Sequence, residues 1–161
     1  MFPTELIELT NKLISGCRKN DIKIATAESC TGGLIAGCLT SVAGSSDVFE
    51  RSFNTYSNYA KSELFNIPID VITANGAVSR IVALAMCEGA LKISPVQLTV
   101  SVTGIAGPAG GTIEKPVGTV HIASARVGKS TIERSYLFPG NRNQIRLSTI
   151  EKALEMMLSQ V

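Results

Sequence analysis

Six segments of the chain either repeat apolar residues at helical spacing or are dominated by helix-forming residues. These segments cover residues 5–17, 34–39, 58–65, 70–73, 80–93 and 141–160. Thr4 and Ser79 stand before two of them. Both are predicted to be N-caps, because a hydroxyl oxygen can accept a hydrogen bond from a free amide of the first turn.

Five shorter segments are rich in β-branched residues or alternate between apolar and polar positions, as strands do. They cover residues 22–27, 49–56, 98–103, 119–125 and 130–138. The last two are joined by a turn at Val127, Gly128 and Lys129, a glycine-rich loop lies between the third and the fourth, and helical segments separate the others. Strands joined by a tight turn pair antiparallel, and strands separated by a helix favour parallel pairing. The pattern therefore predicts a layered α/β domain with a mixed sheet.

Composition narrows the classes of function without selecting one. Hydrophobic residues make up 45% and charged residues 17% of the 161 residues, and the net charge is +2. A charge this small argues against nucleic acid and against an anionic membrane as partner. The four cysteines form no CxxC pair, so no metal site is expected.

Hydropathy places the chain among soluble proteins. No stretch reaches the roughly 18 apolar residues of a membrane helix, and charged residues interrupt the N-terminal segment, so no signal peptide is expected. We expect a single cytoplasmic domain over residues 1–161.

A polar, glycine-bearing turn at residues 26–33 follows the first predicted strand and opens a helix. Ligands of α/β folds bind at this end of the strands, where helix amides are free and the helix dipole favours negative charge. Ser29 offers a hydroxyl that can attack a carbonyl carbon, and Gly32 and Gly33 leave room for the resulting oxyanion. The same serine fits a plain helix cap, so the residues alone leave both roles open.

Two neighbours of Ser29 also have two interpretations each. Cys30 is either a nucleophile whose thiolate the dipole favours or a small buried residue. Glu28 either orients a neighbouring group or complements the dipole from the first turn of the helix.

A base for Ser29 is sought among the lysines, because the only histidine, His121, lies in a predicted strand. Lys61 ends the run YSNYAK at residues 56–61. A lysine accepts a proton only where burial or a neighbouring cation lowers its pKa, and a tyrosine such as Tyr56 can relay or orient that proton. A solvated surface charge is the competing interpretation of Lys61.

Two further segments are suited to binding anions. The loop at residues 104–118 carries five glycines and two prolines, and its amides can crowd an anion while Lys115 adds charge. It matches neither a Walker A sequence nor a dinucleotide fingerprint. Arg142 and Arg146 lie four positions apart at the start of the last helix, where they share one face and oppose the dipole, an arrangement that favours a phosphate or carboxylate partner. A surface loop and a solvated basic face are the competing interpretations.

Seven motifs follow one another in an order that resembles the C-terminal domain of the competence/damage-inducible CinA proteins, including its stand-alone form, the nicotinamide-nucleotide amidases. They are AESCTGG, AGSS, YSN-x-AK, GAVS, SVTGIAGP-x-GG, KPVGTV and G-x-R-x-x-x-R. The resemblance extends from Glu5 to the final helix. It implies a three-layer α/β/α sandwich and the hydrolysis of nicotinamide mononucleotide to nicotinate mononucleotide and ammonia, in pyridine nucleotide salvage.

Residue roles follow from the resemblance by motif position. It implies Ser29 as the nucleophile, Lys61 as its base and Tyr56 as an assisting hydroxyl. The residues that it implies for substrate binding are Cys30, Thr31, Gly32, Gly33, Thr103, Gly104 and Arg146. Backbone amides around residues 31–33 are expected to bind the oxyanion, and Thr103, Gly104 and Arg146 to grip ribose or phosphate.

The same resemblance bears on cofactors and partners. No metal and no cofactor is expected, because an activated serine replaces a metal-bound hydroxide. The partner is then a small-molecule nucleotide, and a homo-oligomer, with the dimer favoured, is expected of a small enzyme.

Two positions depart from the family pattern: Tyr59 stands where the family commonly has Glu, and Arg80 follows the GAVS motif. Tyr59 removes a carboxylate close to the proposed base. A non-catalytic nucleotide-binding or regulatory domain is therefore the second hypothesis, and a cysteine hydrolase that uses Cys30 is the third.

Overall fold

The computed structural model describes residues 1–161 and confirms all six predicted helices and all five predicted strands. The helices are α1 (Thr4–Lys19), α2 (Leu34–Thr40), α3 (Asn58–Phe65), α4 (Ile69–Asn75), α5 (Arg80–Ile93) and α6 (Arg142–Leu158). The strands are β1 (Ile24–Glu28), β2 (Phe49–Asn54), β3 (Leu98–Gly104), β4 (Thr119–Arg126) and β5 (Ile132–Leu137). The differences from the predicted ranges are confined to the ends of the elements.

The strands form one mixed sheet in the order β2-β1-β3-β4-β5. Strand β1 lies at the centre of the parallel part and pairs with both β2 and β3. Strands β3, β4 and β5 pair antiparallel. The short turn between β4 and β5 predicts this for the last pair. The carboxyl ends of β1, β2 and β3 consequently meet at one edge of the sheet, which is where ligands of α/β folds bind.

Helices cover both faces of the sheet, so the expected three-layer α/β/α sandwich is confirmed. Helices α1, α2 and α6 pack on one face, and α3, α4 and α5 form the other layer. Alternate residues of β3 point to the first face, where Leu98, Val100 and Val102 join the main hydrophobic core.

The opposite face of β3 is lined by small polar residues. The hydroxyls of Thr99 and Ser101 donate to the carbonyls of Cys87 and Ala83 on α5, at 3.0 and 2.6 Å. Because short side chains fill this layer, α5 lies close against the sheet, and hydrogen bonds fix its position.

Of the two predicted N-caps, one is confirmed and the other is wrong. Ser79 caps α5, since its side chain accepts a hydrogen bond from the amide of Val82. Thr4 lies inside α1, and Pro3 is the N-cap, its carbonyl accepting from the amides of the first turn. Proline suits this position because its fixed φ matches the start of a helix and it has no amide hydrogen to leave unpaired.

None of the six helices combines the length and the apolar character needed to cross a membrane. All four cysteines are buried and free.

Candidate active site

Ser29 is the first residue after β1, in the turn that leads into α2. Its amide donates to the carbonyl of Val102 on β3, so the sheet fixes the backbone of the serine. Gly32 and Gly33 have φ values of +59° and +93°, a region in which residues with a Cβ atom are strained. A Cβ atom on Gly33 would also lie 3.0 Å from the side chain of Asn54. The two glycines therefore allow the chain to turn tightly behind the serine hydroxyl.

The carboxylate of Glu28 holds this turn together from the end of β1. It is fully buried and accepts hydrogen bonds from the hydroxyl of Thr31, at 2.6 Å, and from the amides of Gly33, Ile35 and Ala36, at 2.8 to 3.0 Å. These amides lie at the N-terminus of α2 and have no partner within the helix. Glu28 therefore orients its neighbours, as the first interpretation has it. It also complements the helix dipole, but from the end of β1, so its expected place in the first turn of the helix is wrong.

The engagement of these amides corrects the expected oxyanion donors. The amide of Gly33 donates to Glu28, and the amide of Gly32 donates to the carbonyl of Ser29, at 3.1 Å. Neither is available to a substrate. The amides of Cys30 and Thr31 donate to no other residue and remain as donors beside Ser29.

The side chain of Lys61 reaches Ser29 from α3. Its Nζ lies 3.0 Å from the Oγ of Ser29 and 2.7 Å from the carbonyl oxygen of Thr55, with the carbonyl oxygen of Tyr56 at 3.3 Å. Ser57 caps α3 four residues earlier, and this places Lys61 on the inner side of the first helical turn. Lys61 is therefore not the solvated surface charge that the sequence left open.

Burial changes the acidity of this lysine. The side chain is only 1% exposed, and it belongs to none of the ion pairs in the structure. Desolvation of the ammonium lowers the pKa of Lys61 from 10.5 to about 8. At neutral pH roughly a tenth of the molecules then carry the neutral amine that a base requires.

Cys30 lies beside the pair, but its thiol is not activated. Desolvation raises the pKa of Cys30 to about 12, so at neutral pH it is a protonated, buried side chain. The cysteine nucleophile considered from the sequence receives no support from this environment.

A cleft of about 240 Å³ opens above Ser29 and Lys61 at the carboxyl edge of the sheet. The residues that line it are Ser29, Cys30, Tyr56, Asn58, Lys61, Ala77, Val78, Thr103, Gly104, Ala106 and Arg142. The structure thus brings six of the predicted residues together, from three separate segments of the chain.

Thr103 and Gly104 line the cleft at the end of β3, as expected. The hydroxyl of Thr103 donates to the carbonyl of Ala77 at 2.8 Å, and its oxygen keeps lone pairs to accept a further bond. A Cβ atom on Gly104 would lie 2.7 Å from the side chain of Val120, so a larger residue does not fit here.

Tyr56 and Arg146 occupy positions that differ from their expected roles. The ring of Tyr56 is 66% exposed at the rim, and its hydroxyl accepts from Arg142 at 3.2 Å instead of contacting Lys61. Only its backbone carbonyl contacts the lysine. Arg146 does not line the cleft: it donates to the carbonyl of Thr31 at 2.7 Å and so braces the turn from behind.

Arg142 is a cation that lines the cleft and is not among the site residues that the resemblance implies. It also donates to the carbonyl of Gly107, at 2.9 Å, which fixes the guanidinium at the rim. The signal was present in the sequence, since Arg142 and Arg146 were expected on one face of α6. Which of the two arginines reaches the cleft depends on their positions along α6 relative to the cleft.

The positions that depart from the family pattern lie away from the cleft. Tyr59 is 71% exposed and does not line it. Arg80 forms a surface ion pair with Glu133, at 3.2 Å. Lys115, expected to add charge to an anion site, donates instead to two backbone carbonyls of the neighbouring loop.

The fold and the cleft together define a three-layer α/β/α protein with a buried serine–lysine pair at the carboxyl edge of its sheet. The chain belongs to the CinA C-terminal domain family, whose model matches residues 6–161. The solved structure of competence/damage inducible protein CihA from Agrobacterium tumefaciens is 44% identical, covers 99% of this chain and 97% of that one, and superposes with a TM-score of 0.97.

Two kinds of relative match the chain. Nicotinamide-nucleotide amidohydrolase PncC of Escherichia coli K12 is 41% identical over 160 residues, which cover 99% of this chain and 97% of that protein. A CinA-like protein of Syntrophobacter fumaroxidans is 48% identical over 87% of this chain but only 33% of its own length. The chain therefore spans about a third of the CinA-like relatives and nearly the whole of the PncC proteins.

Proposed function

We propose that this chain hydrolyses the carboxamide of nicotinamide mononucleotide, giving nicotinate mononucleotide and ammonia in pyridine nucleotide salvage. One observation carries the proposal: the Nζ of Lys61, 1% exposed, lies 3.0 Å from the Oγ of Ser29. A serine needs a partner that removes its proton, and a buried lysine with a pKa of about 8 is suited to that role. The name of the PncC relatives, nicotinamide-nucleotide amidohydrolase, supports the choice of substrate.

Lys61 is proposed to act as the base in its neutral form. A neutral amine has two N–H groups and one lone pair. The carbonyl oxygens of Thr55 and Tyr56 accept from the N–H groups, and the lone pair then faces the hydroxyl of Ser29. The proton moves from Oγ to Nζ while Oγ forms a bond to the carboxamide carbon.

The negative charge that develops on the carboxamide oxygen is proposed to be bound by the amides of Cys30 and Thr31. They are adjacent to the nucleophile and free of other partners. Donors that are already oriented stabilise a tetrahedral intermediate without reorganisation. This stabilisation is how such a site lowers the activation free energy of hydrolysis.

The second half of the reaction restores the enzyme. The ammonium of Lys61 returns its proton to the departing nitrogen, and the C–N bond breaks to release ammonia and leave an ester on Ser29. Water then attacks the ester carbon while Lys61 takes a proton from it. The bond between that carbon and Oγ breaks, Lys61 returns the proton to Oγ, and the acid is released. The sum is one carboxamide and one water giving one carboxylate and one ammonium ion, and no redox partner is required.

The rest of the nucleotide is proposed to lie toward the rim. Arg142 is the cation available there to a phosphate, and the hydroxyls of Tyr56 and Thr103 are available to ribose. Arg142 replaces Arg146 in this role, because Arg142 lines the cleft, whereas Arg146 donates to the carbonyl of Thr31 and does not line it.

The experiment measures ammonia release from nicotinamide mononucleotide for the wild type, Ser29→Ala, Lys61→Met and Cys30→Ala. We expect turnover that falls by at least about a thousandfold in the first two variants and changes little in Cys30→Ala, the matched control at the adjacent position. Loss of turnover in Cys30→Ala with activity retained in Ser29→Ala would establish the cysteine mechanism instead.

A folded wild type that binds the nucleotide without turnover would refute the amidase and leave the non-catalytic binding domain. In that case Tyr59→Glu tests whether the departure at this position is the cause. The expected homodimer stays a prediction, which light scattering at several protein concentrations can test.

A further inference from the structure

Two sequence motifs that take no part in the proposed hydrolysis are hydrogen-bonded to each other beside the cleft. One is GAVS at residues 76–79, which joins α4 to α5, and the other is KPVGTV, which starts at Lys115. The Nζ of Lys115 donates to the carbonyls of Asn75 and Val78, each at 2.8 Å. The lysine thus bridges the two ends of the GAVS loop.

The backbone of Lys115 is itself anchored. Its amide donates to the hydroxyl of Thr112 at 3.0 Å, and its carbonyl accepts from the amide of Thr112 at 2.9 Å. The half-buried lysine therefore extends from a fixed turn and is not a mobile surface chain.

Side chains hold every carbonyl of the GAVS loop that could turn toward the cleft. Besides the two bound by Lys115, the carbonyl of Ala77 accepts from Thr103, and that of Gly76 accepts from Ser79. The amides of Gly76, Ala77 and Val78 donate to no protein group. Ala77 and Val78 line the cleft, so the loop offers hydrogen-bond donors to oxygen atoms of a bound molecule while its carbonyls are already bound by side chains.

Gly76 is matched to the lysine. Its φ of +77° is a conformation that favours glycine, and a Cβ atom there would lie 3.1 Å from the Nζ of Lys115. A side chain at this position would strain the loop and displace the ammonium of Lys115. The position of Lys115 therefore depends on glycine at position 76.

We propose that Lys115 is a positioning residue for substrate binding, which shapes the GAVS loop into the wall that receives the oxygen-rich part of the nucleotide. The inference rests on the proposed function for the identity of the nucleotide. Lys115 touches neither the nucleophile nor its base, so its loss should weaken binding and leave the chemical step almost unchanged.

The test compares Lys115→Met with Lys129→Met. Lys129 is a matched control, because its Nζ also donates to a backbone carbonyl, that of Gln160, at 2.9 Å, but away from the cleft. KM and kcat are measured for nicotinamide mononucleotide, and Kd is measured by calorimetry with Ser29→Ala present in each protein to prevent turnover.

For Lys115→Met we expect KM and Kd to rise about tenfold, equivalent to about 1.4 kcal/mol, with kcat within about threefold of the wild type. Gly76→Ala should reproduce this split, and Lys129→Met should leave all three constants unchanged. Melting temperatures within a few degrees of the wild type show that the folded protein is compared in each case.

Three results would overturn the inference. The first is an unchanged Kd in Lys115→Met, and the second is a fall in kcat with KM unchanged. Either of these, with an active wild type, removes the role of Lys115 and leaves the proposed function intact. If the wild type neither turns over nor binds the nucleotide, the proposed function fails and the inference fails with it.

Discussion

Replacing Glu28 by glutamine tests whether its buried carboxylate holds the nucleophile turn. The carboxylate accepts from two hydroxyls and three amides, three of these bonds at Oε2 and two at Oε1. Glutamine offers a single acceptor oxygen. If that oxygen takes the place of Oε2, the amino group takes the place of Oε1. The hydroxyl of Thr26 can turn and accept from it, but the bond from the amide of Ala36 is lost and two donors oppose each other.

The expected loss of stability follows from these contacts. A hydrogen bond to a charged group contributes about 1.5–3 kcal/mol, and a partly buried carboxylate at a helix N-terminus contributes up to about 2 kcal/mol. We expect Glu28→Gln to lower the free energy of unfolding by about 4 kcal/mol. For a protein of this size that corresponds to a fall in melting temperature of about 8–16 °C.

Urea and thermal unfolding, followed by circular dichroism, measure this change. Glu5→Gln is the control, because Glu5 is an exposed carboxylate in the first turn of α1 and its replacement removes the same charge from a helix start. That variant should cost less than about 1 kcal/mol. If Glu28→Gln costs no more than Glu5→Gln, the carboxylate does not hold the turn and the argument is refuted.

Three further predictions concern the lysine base and the rim. Because Lys61 acts as a neutral amine with a pKa of about 8, kcat/KM should rise tenfold per pH unit below pH 8 and level off above it; a pH–rate profile that is flat from pH 6 to 9 would contradict this. Between pH 8 and 10.5 the unfolded chain binds more protons than the folded protein, because the pKa of Lys61 is lowered only in the folded protein. Burial of the ammonium therefore lowers the free energy of unfolding below pH 8, and this loss disappears as the pH rises to 10.5. The stability of the wild type relative to Lys61→Met should therefore increase by about 3 kcal/mol from pH 8 to 10.5, and unfolding curves that keep a constant difference would show that the pKa is not lowered. Arg142→Gln should raise KM for the nucleotide about tenfold at low salt with little change in kcat, whereas an unchanged KM would remove Arg142 from phosphate binding.

Much of the fold could be predicted from the sequence, because each element carries its own local signal. The β-branched alternation of β3 and the glycines after β1 are properties of single segments, and periodicity and turn chemistry report them directly. The N-cap at Ser79 was predicted in the same way. The cap at Thr4 was wrong because a proline one position earlier begins the helix equally well.

The site was less predictable, because its properties depend on distances between segments. The sequence could name Ser29 and Lys61 as candidates, but the 3.0 Å contact between them depends on how β1 and the start of α3 are placed by the sheet. Whether an amide is free also depends on tertiary contacts: the amide of Gly33, expected beside the oxyanion, donates to the carboxylate of Glu28. Arg142 and Arg146 are equally basic in the sequence and differ only in what stands opposite each of them.

The short hydroxyl side chains on β3 have a consequence for how substrate fit can change. They set the spacing between the sheet and α5, and α5 begins where the wall of the cleft ends. A substitution at position 83, 87 or 101 can alter this spacing by the width of one methyl group. The helix α5 then shifts as a rigid body, and the cleft wall shifts with it. Selection for a different substrate would then yield changes at buried positions that no bound molecule touches, and a mutational scan restricted to the cleft would miss them.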